Sequence, residues 1–347
     1  MIKKLKLKNF RNFDSSEFLF CSEKNFIIWA NWKWKTNILE AISLLSWKNF
    51  NKIDFPYLVK SNQNIFFIEI TDINENKIAI SFDKEINKKQ YFLNWKKTTK
   101  SKIKQNSPIC VNFSPITMNL MYLSPSLRRD FLDNILINTF PNYSKILKEY
   151  KNILTSRNKL LKAIKEWKAR EDELNFWDNK FINITKIVYN YRFWISNFFK
   201  ENIGKATKYF LWKINKIEFK YISKINNNIE KDIKQYLEKN RQRDIILTTT
   251  QIWPHIDDFN IFIDNKPIIE FASRWETKSV IIELKFIEIK FIEKFLNQKP
   301  ILLIDDLLSE LDNKHKSMIL DNITWYQTFI TSINDDNIDT NNKIFLN

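Results

Sequence analysis

Apolar and lysine positions alternate at the start of the chain. Ile2, Leu5 and Leu7 sit among Lys3, Lys4, Lys6 and Lys8, the approximate two-residue period of a strand with one buried face. Phe18 to Phe20 and Phe26 to Ile28 are short apolar runs that predict further strands. From Thr36 the period lengthens, and Ile38, Leu39, Ile42, Leu44 and Leu45 supply the buried face of a helix. Strand-like pieces return from Ile65 to Tyr91, as in Ile65-Phe66-Phe67-Ile68 and Ile78-Ala79-Ile80, and Thr98 to Ser107 reads as a basic, polar loop. From about Ser126 to Lys239 the pattern is helical, with Phe131, Leu132, Ile135 and Leu136 followed by Ile146, Leu147, Tyr150, Ile153 and Leu154. Tyr143 to Arg170 has hardly any breaker and predicts one long helix or arm. Short strands follow at Ile245-Ile246-Leu247 and Phe259 to Ile263, then a helix over Thr277 to Leu296 and a fully apolar strand from Ile301 to Ile304. No internal repeat or low-complexity linker is present. The expectation is an α/β fold split in sequence, with parts at 1–125 and 241–347 and a helical lobe at 126–240 between them.

Composition changes this picture in two ways. The 347 residues suffice for one large or two ordinary domains, yet they include one glycine beside twelve tryptophans, where a typical chain carries about 7% glycine. One glycine hardly serves the positive-φ turns of a mixed fold this size, so either the fold avoids such positions or some of the letters are wrong. The net charge of +16 favours a polyanionic partner. That charge is discounted by the abundance of Lys, Asn, Ile and Phe, whose codons are AT-rich. Cys21 and Cys110 form neither a disulfide framework nor a paired zinc motif, and the N-terminus has no apolar signal segment. Glu283, Lys285, Glu288, Lys290 and Glu293 interrupt the apolar stretch from Val280 to Leu296, which therefore cannot span a bilayer. A soluble, cytoplasmic protein with no membrane partner is expected.

Four motifs carry chemistry. Trp29-Ala30-Asn31-Trp32-Lys33-Trp34-Lys35-Thr36 follows an apolar strand and precedes an amphipathic helix, the context of a phosphate-binding loop of the form G-x-x-x-x-G-K-[ST]. Lys35 and Thr36 match, while both glycine positions, 29 and 34, hold tryptophan. An indole there would occupy phosphate space, because such a loop works by turning backbone N–H groups inward. Ile301 to Ile304 running into Asp305 and Asp306 has the form of a Walker B strand. In that form Asp305 helps hold Mg²⁺ and Asp306 orients or deprotonates the attacking water. Phe271 to Ser279 lies where an ABC-type signature is placed, with Ser273 and a helix N-terminus to clamp a γ-phosphate held by another subunit, and Trp275 where glycine is wanted. His255 with Asp257 and Asp258 could suggest a metal site. With two histidines in the chain and no second ligand cluster, a structural turn near the nucleotide site is the better expectation.

These residues, in this order, resemble the RecF family, bacterial DNA replication and repair ATPases of the ABC/SMC class. The resemblance runs essentially end to end. It includes Leu7 to Asn12, the P-loop, Thr36 to Ser46, Val111 to Pro115, Ser124 to Asp133, Tyr150 to Leu161 with Arg157-Asn158, Pro254 to Asp258, Ser273, and Asp305 to Asp312. The departures are nearly all of one kind. At 29, 34, 253 and 275 the family has glycine and this chain tryptophan; Trp32, Trp47 and Trp325 look the same, whereas Trp177 fits as a tryptophan. A UGA codon read as glycine in the source organism and written here as tryptophan accounts for all of them; the rival is a pseudo-ATPase that has lost its loop.

The resemblance implies an ABC/SMC-type P-loop ATPase head with an inserted helical lobe, binding ATP and Mg²⁺. Trp29 through Thr36 and Ser273 would line the nucleotide. Lys35 would contact the β/γ-phosphates, Thr36 and Asp305 would hold the metal, and Asp306 would be the catalytic acid. Weak ATP hydrolysis is expected if Trp29, Trp32 and Trp34 are really glycine. A signature that cannot reach its own P-loop implies ATP sandwiched between two copies, hence an ATP-dependent homodimer. Thr331-Ser332 is expected near the γ-phosphate. DNA would be bound without sequence preference, as duplex and at single-strand gap junctions or stalled forks, and RecO and RecR would join the chain in loading the RecA recombinase. Candidate DNA contacts are Arg128, Arg129, Lys148, Lys151, Arg157 and Lys162 on the helical lobe and the Lys96 to Lys104 loop. The alternatives are a catalytically dead P-loop-like DNA-binding scaffold and another SMC-like ATPase. A Rad50-type protein is disfavoured by the short helical insert and the lack of a Cys-x-x-Cys hook.

Overall fold

The computed structural model describes residues 1–28, 32–46, 54–205, 216–225, 228–251, 254, 256–311, 313–332 and 343–345, with the backbone alone at 32–34, 309–310, 313–315 and 345. The elements run β1 (Ile2–Phe10), β2 (Phe13–Leu19), β3 (Lys24–Ile28), α1 (Trp32–Leu45), β4 (Ile65–Asp72), β5 (Lys77–Asp83), β6 (Lys88–Leu93), β7 (Lys96–Thr98), α2 (Lys100–Asn106), β8 (Cys110–Phe113) and α3 (Pro115–Met118). Then follow α4 (Pro125–Thr139), α5 (Tyr143–Lys165), α6 (Leu174–Asn202), β9 (Ile217–Ile222), α7 (Ile229–Leu247), β10 (Asp258–Ile263), β11 (Lys266–Pro267), α8 (Ile268–Phe271) and α9 (Arg274–Leu296). The chain closes with β12 (Ile301–Ile304), α10 (Asn313–Asn322), β13 (Thr328–Ser332) and β14 (Lys343–Phe345). Two compact units result: Met1–Met118 with Asn297–Asn347, and Asn119–Leu296.

The first unit holds two sheets. Strands β2-β1-β4-β5-β6-β7 form an antiparallel six-stranded sheet, and β14-β3-β13-β12-β8 a parallel five-stranded one. The parallel strands are apolar without alternation (Phe26-Ile27-Ile28, Ile301 to Ile304, Phe329-Ile330), as strands covered on both faces must be. α1 lies in the same core as both sheets. Its Ile38, Leu39, Ala41, Ile42 and Leu45 are fully buried with Leu5, Ile68 and Phe82 of one sheet and Ile27, Leu303 and Phe329 of the other. Arg11 ties the antiparallel sheet to α1 through a two-pronged pair with Glu40 at 2.8 and 3.0 Å.

The second unit is helical with one three-stranded sheet, β11-β10-β9. It takes in the predicted helical lobe together with α8 and α9, because β10 pairs along its length with β9. Buried ion pairs join its elements. Arg157 is wholly buried, donating to Asp178 at 2.7 Å and Asp244 at 3.0 Å and bonding the Thr250 hydroxyl, so that α5, α6 and α7 share one network. Arg128 grips Asp258 at 2.7 and 2.6 Å. Arg192 pairs with Asp133, and Tyr221 donates to the buried Asp257 at 3.0 Å.

Three sequence expectations are corrected. Thr98 to Ser107 is not a loop: Lys100–Asn106 is helical, with the Thr99 hydroxyl accepting from the Lys102 N–H and Ile103 buried. Ile245-Ile246-Leu247 is the last turn of α7 rather than a strand. Its β-branched residues suggest a strand, but Ile233, Leu237 and Ile245 are buried at helical spacing, and Asn228 caps the start. The helix beginning at Tyr143 stops at Lys165, short of Arg170.

The fold does not avoid positive φ. Among the described residues thirteen non-glycine positions have it, and eight of these are Asn or Asp, the residues that tolerate it best. Two are tryptophans. Asn94 (φ 49) and Trp95 (φ 63) form the two-residue turn between β6 and β7, a geometry that favours Asn-Gly. Trp167 (φ 59) follows the end of α5, its N–H bonded to the Ile164 carbonyl and that of Lys168 to Ala163, a Schellman ending that favours glycine. By contrast Trp194 packs its ring on Phe291 and Phe295, at 5.1 and 4.4 Å between centroids.

Trp167 is 95% exposed, so its indole offsets little of the strain. Trp167→Gly should therefore raise stability by about 1 kcal/mol, read as a higher urea midpoint at unchanged m-value. Asp257 titrates at about 6, burial pushing it up against the Tyr221 hydroxyl and Arg192 that pull it down. An acid whose pKa is higher folded than unfolded holds its proton longer in the native state, so its contribution is full below about 4 and lost as pH rises through about 6. Asp257→Asn should leave stability near pH 4 unchanged and raise it at pH 7.5 by about 1–3 kcal/mol, measured by urea unfolding at both pH values.

Candidate functional site

The parallel sheet determines which side chains meet. β13 lies between β3 and β12, so the carboxyl ends of the strands before α1 and before Asp305 open on the same side of the sheet with one strand between them, where open α/β sheets bind ligands. Lys35 closes the first turn of α1 and Thr36 opens the second, and Asp305 and Asp306 directly follow β12.

The Thr36 hydroxyl lies 3.1 and 3.2 Å from the two carboxylate oxygens of Asp305. A second hydroxyl, that of Thr331 at the end of β13, donates to Asp305 Oδ1 at 2.9 Å and accepts the Asp306 N–H at 2.9 Å. The Asp305 N–H is bound by the Phe113 carbonyl of β8 at 2.9 Å, so three strands fix this residue. Burial pushes the Asp305 carboxyl above the ordinary carboxylate range; the Thr331 hydroxyl pulls it down, and the neighbouring Asp306 adds to the rise. Lys35 is wholly buried. Its ammonium donates to the Ser332 carbonyl at 3.0 Å and lies 3.6 Å from Asp306 Oδ1. Asp306 takes a left-handed backbone, φ 50 and ψ 11.

The four predicted residues Lys35, Thr36, Asp305 and Asp306 are thus brought together, with Thr331 and Ser332 beside them. A hydroxyl and a carboxylate at this spacing, both hard oxygen donors, suit Mg²⁺, which takes one or two protein ligands and completes its shell with water and phosphate oxygens. A buried ammonium beside them suits phosphate oxygens. Trp29, Ala30 and Asn31 lie outside the described residues, and of Trp32, Lys33 and Trp34 only the helical backbone is described. Ser273 belongs to the second unit. It is exposed and caps α9 in a reciprocal box, its N–H donating to Glu276 at 2.7 Å and its hydroxyl accepting from the Glu276 N–H at 3.2 Å.

The helical-lobe arginines are corrected as DNA contacts. Arg157 and Arg128 are buried in ion pairs and so are not presented to a polyanion, while Arg129 is half-buried with one donor on the Asp257 carbonyl. Lys148, Lys151 and Lys162 are exposed. His255 lies outside the described residues, while Asp257 and Asp258 are engaged as above. Among the described residues no group of three or more His, Cys, Asp or Glu could hold a metal, and no helix is long and apolar enough to cross a membrane.

No protein-family model matches the chain. The DNA replication and repair protein RecF of Thermoanaerobacter sp. (strain X514) is 32% identical over 348 residues, covering 95% of this chain and 93% of that protein. Among solved structures, that of the recombination mediator protein RecF-ATP in the RecFOR pathway superimposes with a TM-score of 0.86 at 28% identity, covering 99% of this chain and 95% of the other. The Smc head domain from Pyrococcus furiosus, solved with an extended coiled coil and bound to the C-terminal domain of ScpA, has a TM-score of 0.50 at 17% identity over 96% of this chain and 90% of its own, which shows the fold alone.

Proposed function

The chain belongs to the RecF family of DNA replication and repair proteins, and from that premise we propose that it is an ATP-dependent DNA-binding protein of recombinational repair. It binds Mg-ATP at the carboxyl end of the parallel sheet and dimerises around it. The observation that carries this reading is the meeting of Lys35, Thr36, Asp305 and Asp306 from far-separated segments, Thr36 and Asp305 lying 269 positions apart in the chain. The relative solved as RecF-ATP supports ATP as the nucleotide.

In this reading Lys35 leaves the Ser332 carbonyl for the β- and γ-phosphate oxygens. Thr36 and Asp305 hold Mg²⁺, which when bound neutralises phosphate charge. Asp306 orients the attacking water and accepts its proton. Ser273, exposed at the start of a 23-residue helix, presents its hydroxyl and the helix N-terminus to the γ-phosphate held by a second copy. Residues 29, 32 and 34 are glycine in the protein its own organism makes. Trp95 and Trp167, in turns that favour glycine, support this. The protein works in the cytoplasm at single-strand gaps or stalled forks, with RecO and RecR as partners in loading recombinase, as the RecFOR pathway of the solved relative suggests.

In this reading DNA lies along the β7 edge of the antiparallel sheet. Lys88, Lys89, Lys96, Lys97, Lys100, Lys102 and Lys104 fall within the hairpin of β6 and β7 and in α2, and the chain has no Asp or Glu from Ile86 through Arg129. Codon bias inflates lysine everywhere; it does not remove acids from one stretch. Lys88, Lys96, Lys97 and Lys102 are exposed, and among the described residues none has a carboxylate within 4.0 Å. Burial and the neighbouring Lys100 both depress the Lys89 and Lys104 ammonium groups, a crowding of like charge that phosphate would relieve.

Protein made with its own organism's decoding should dimerise on gel filtration with Mg-ATP and not without it. Lys35→Ala should abolish that dimer, and Asp306→Asn should keep the dimer while hydrolysis falls by about 10²-fold or more. A native protein with tryptophan at 29 and 34 and no response to ATP would instead be the DNA-binding scaffold. Lys96→Ala, Lys97→Ala and Lys102→Ala together should lower the slope of log K against log salt by about 2–3 in duplex binding. An equal effect from Lys148→Ala with Lys151→Ala, and none from the triple variant, would move the DNA to the helical unit.

A further inference from the structure

Thr331 is wholly buried at the end of β13, and its hydroxyl serves both acids at once. A hydroxyl has one proton to give. Here it goes to Asp305 Oδ1 at 2.9 Å, since the alternative acceptor, the Ile304 carbonyl, is at 3.5 Å. The oxygen's lone pair is then free for the Asp306 N–H, also at 2.9 Å. The two bonds have different consequences. Asp305 is approached by Thr36 from α1 and by Thr331 from β13, so rotation of its carboxylate is blocked from two sides. Asp306 sits at φ 50, a conformation aspartate tolerates at some cost, and the bond from its N–H to Thr331 helps hold it there.

We propose that Thr331 is a positioning residue for nucleotide chemistry: its proton aims the carboxylate of Asp305, and its lone pair fixes the turn that aims Asp306. It acts through the two acids. The inference rests on the nucleotide-site reading above and deepens it, since it separates what aims the acids from what touches phosphate. Valine at this position has nearly the same shape and neither bond; serine keeps both bonds and loses only a methyl group.

The test compares Thr331→Val and Thr331→Ser with the unaltered protein, each made with native decoding. ATP affinity is measured with Mg²⁺ and with EDTA, beside kcat, KM and the melting midpoint. The gain in affinity that Mg²⁺ brings should fall about 10–100-fold in Thr331→Val and survive in Thr331→Ser, with affinity in EDTA alike for all three. kcat should fall in the valine variant more than KM rises. Should valine prevent folding, Thr331→Ala is put through the same comparison. A valine or alanine variant that keeps the full Mg²⁺ gain overturns the proposal, as does a serine variant impaired as severely as valine, which would make the methyl group's packing the cause. Failure of the unaltered protein to bind ATP under either condition is a different result and removes the nucleotide reading itself.

Discussion

The contact between Thr36 and Asp305 depends on a parallel sheet whose central runs are apolar on both faces. Phe26 to Ile28 and Ile301 to Ile304 have no polar side to turn to water, so they are stable only when covered on both faces. α1 covers one face, and because it is the next element after β3, its N-terminal part comes to the carboxyl end of β12 with β13 intervening. Burial of hydrocarbon thus places the polar groups. The hydroxyl–carboxylate contact at 3.1 Å contributes little to holding the unit together; it is the outcome of where the apolar strands had to go.

Much of this was legible in the chain. The apolar run ending in two acids, the Lys-Thr pair after an apolar strand and the long helix over Thr277 to Leu296 announce themselves through period and chemistry, and each lies where it was expected. Less legible was everything that depends on partners far along the chain. Arg157 looks like a basic residue on a helical lobe; only the fold reveals Asp178 and Asp244 around it, one on α6 and one on α7. Ile245 and Ile246 have the branching of a strand and are helical because Ile233 and Leu237, earlier on the same buried face as Ile245, fix the period. The signal for Thr331 was a polar residue ending an apolar run, Phe329-Ile330, which marks a position near the ligand but does not say what its hydroxyl holds.

Glycine scarcity took on a different meaning once the backbone was in view. Among the described residues Asn and Asp carry eight of the thirteen left-handed positions that are not glycine, so most such turns need no glycine. They do not account for Trp95 and Trp167, whose backbone turns favour glycine, even though the Trp95 ring stacks on Phe67 at 6.0 Å. These two positions lie far in sequence from the phosphate-binding loop and belong to motifs that concern only hairpin and helix endings. They therefore bear on the tryptophan question without presupposing a nucleotide.

The Arg157 cluster has a consequence for how the molecule responds to its medium. An arginine enclosed with two aspartates, one of which also meets Arg241 at 2.9 Å, lies beyond the reach of mobile counterions. Concentrated electrolyte weakens what sits at the periphery, such as Lys162 facing Glu166 at 3.9 Å, and leaves the buried trio of Arg157, Asp178 and Asp244 unscreened. The helical unit should accordingly keep its tertiary packing in brine strong enough to erase its surface electrostatics.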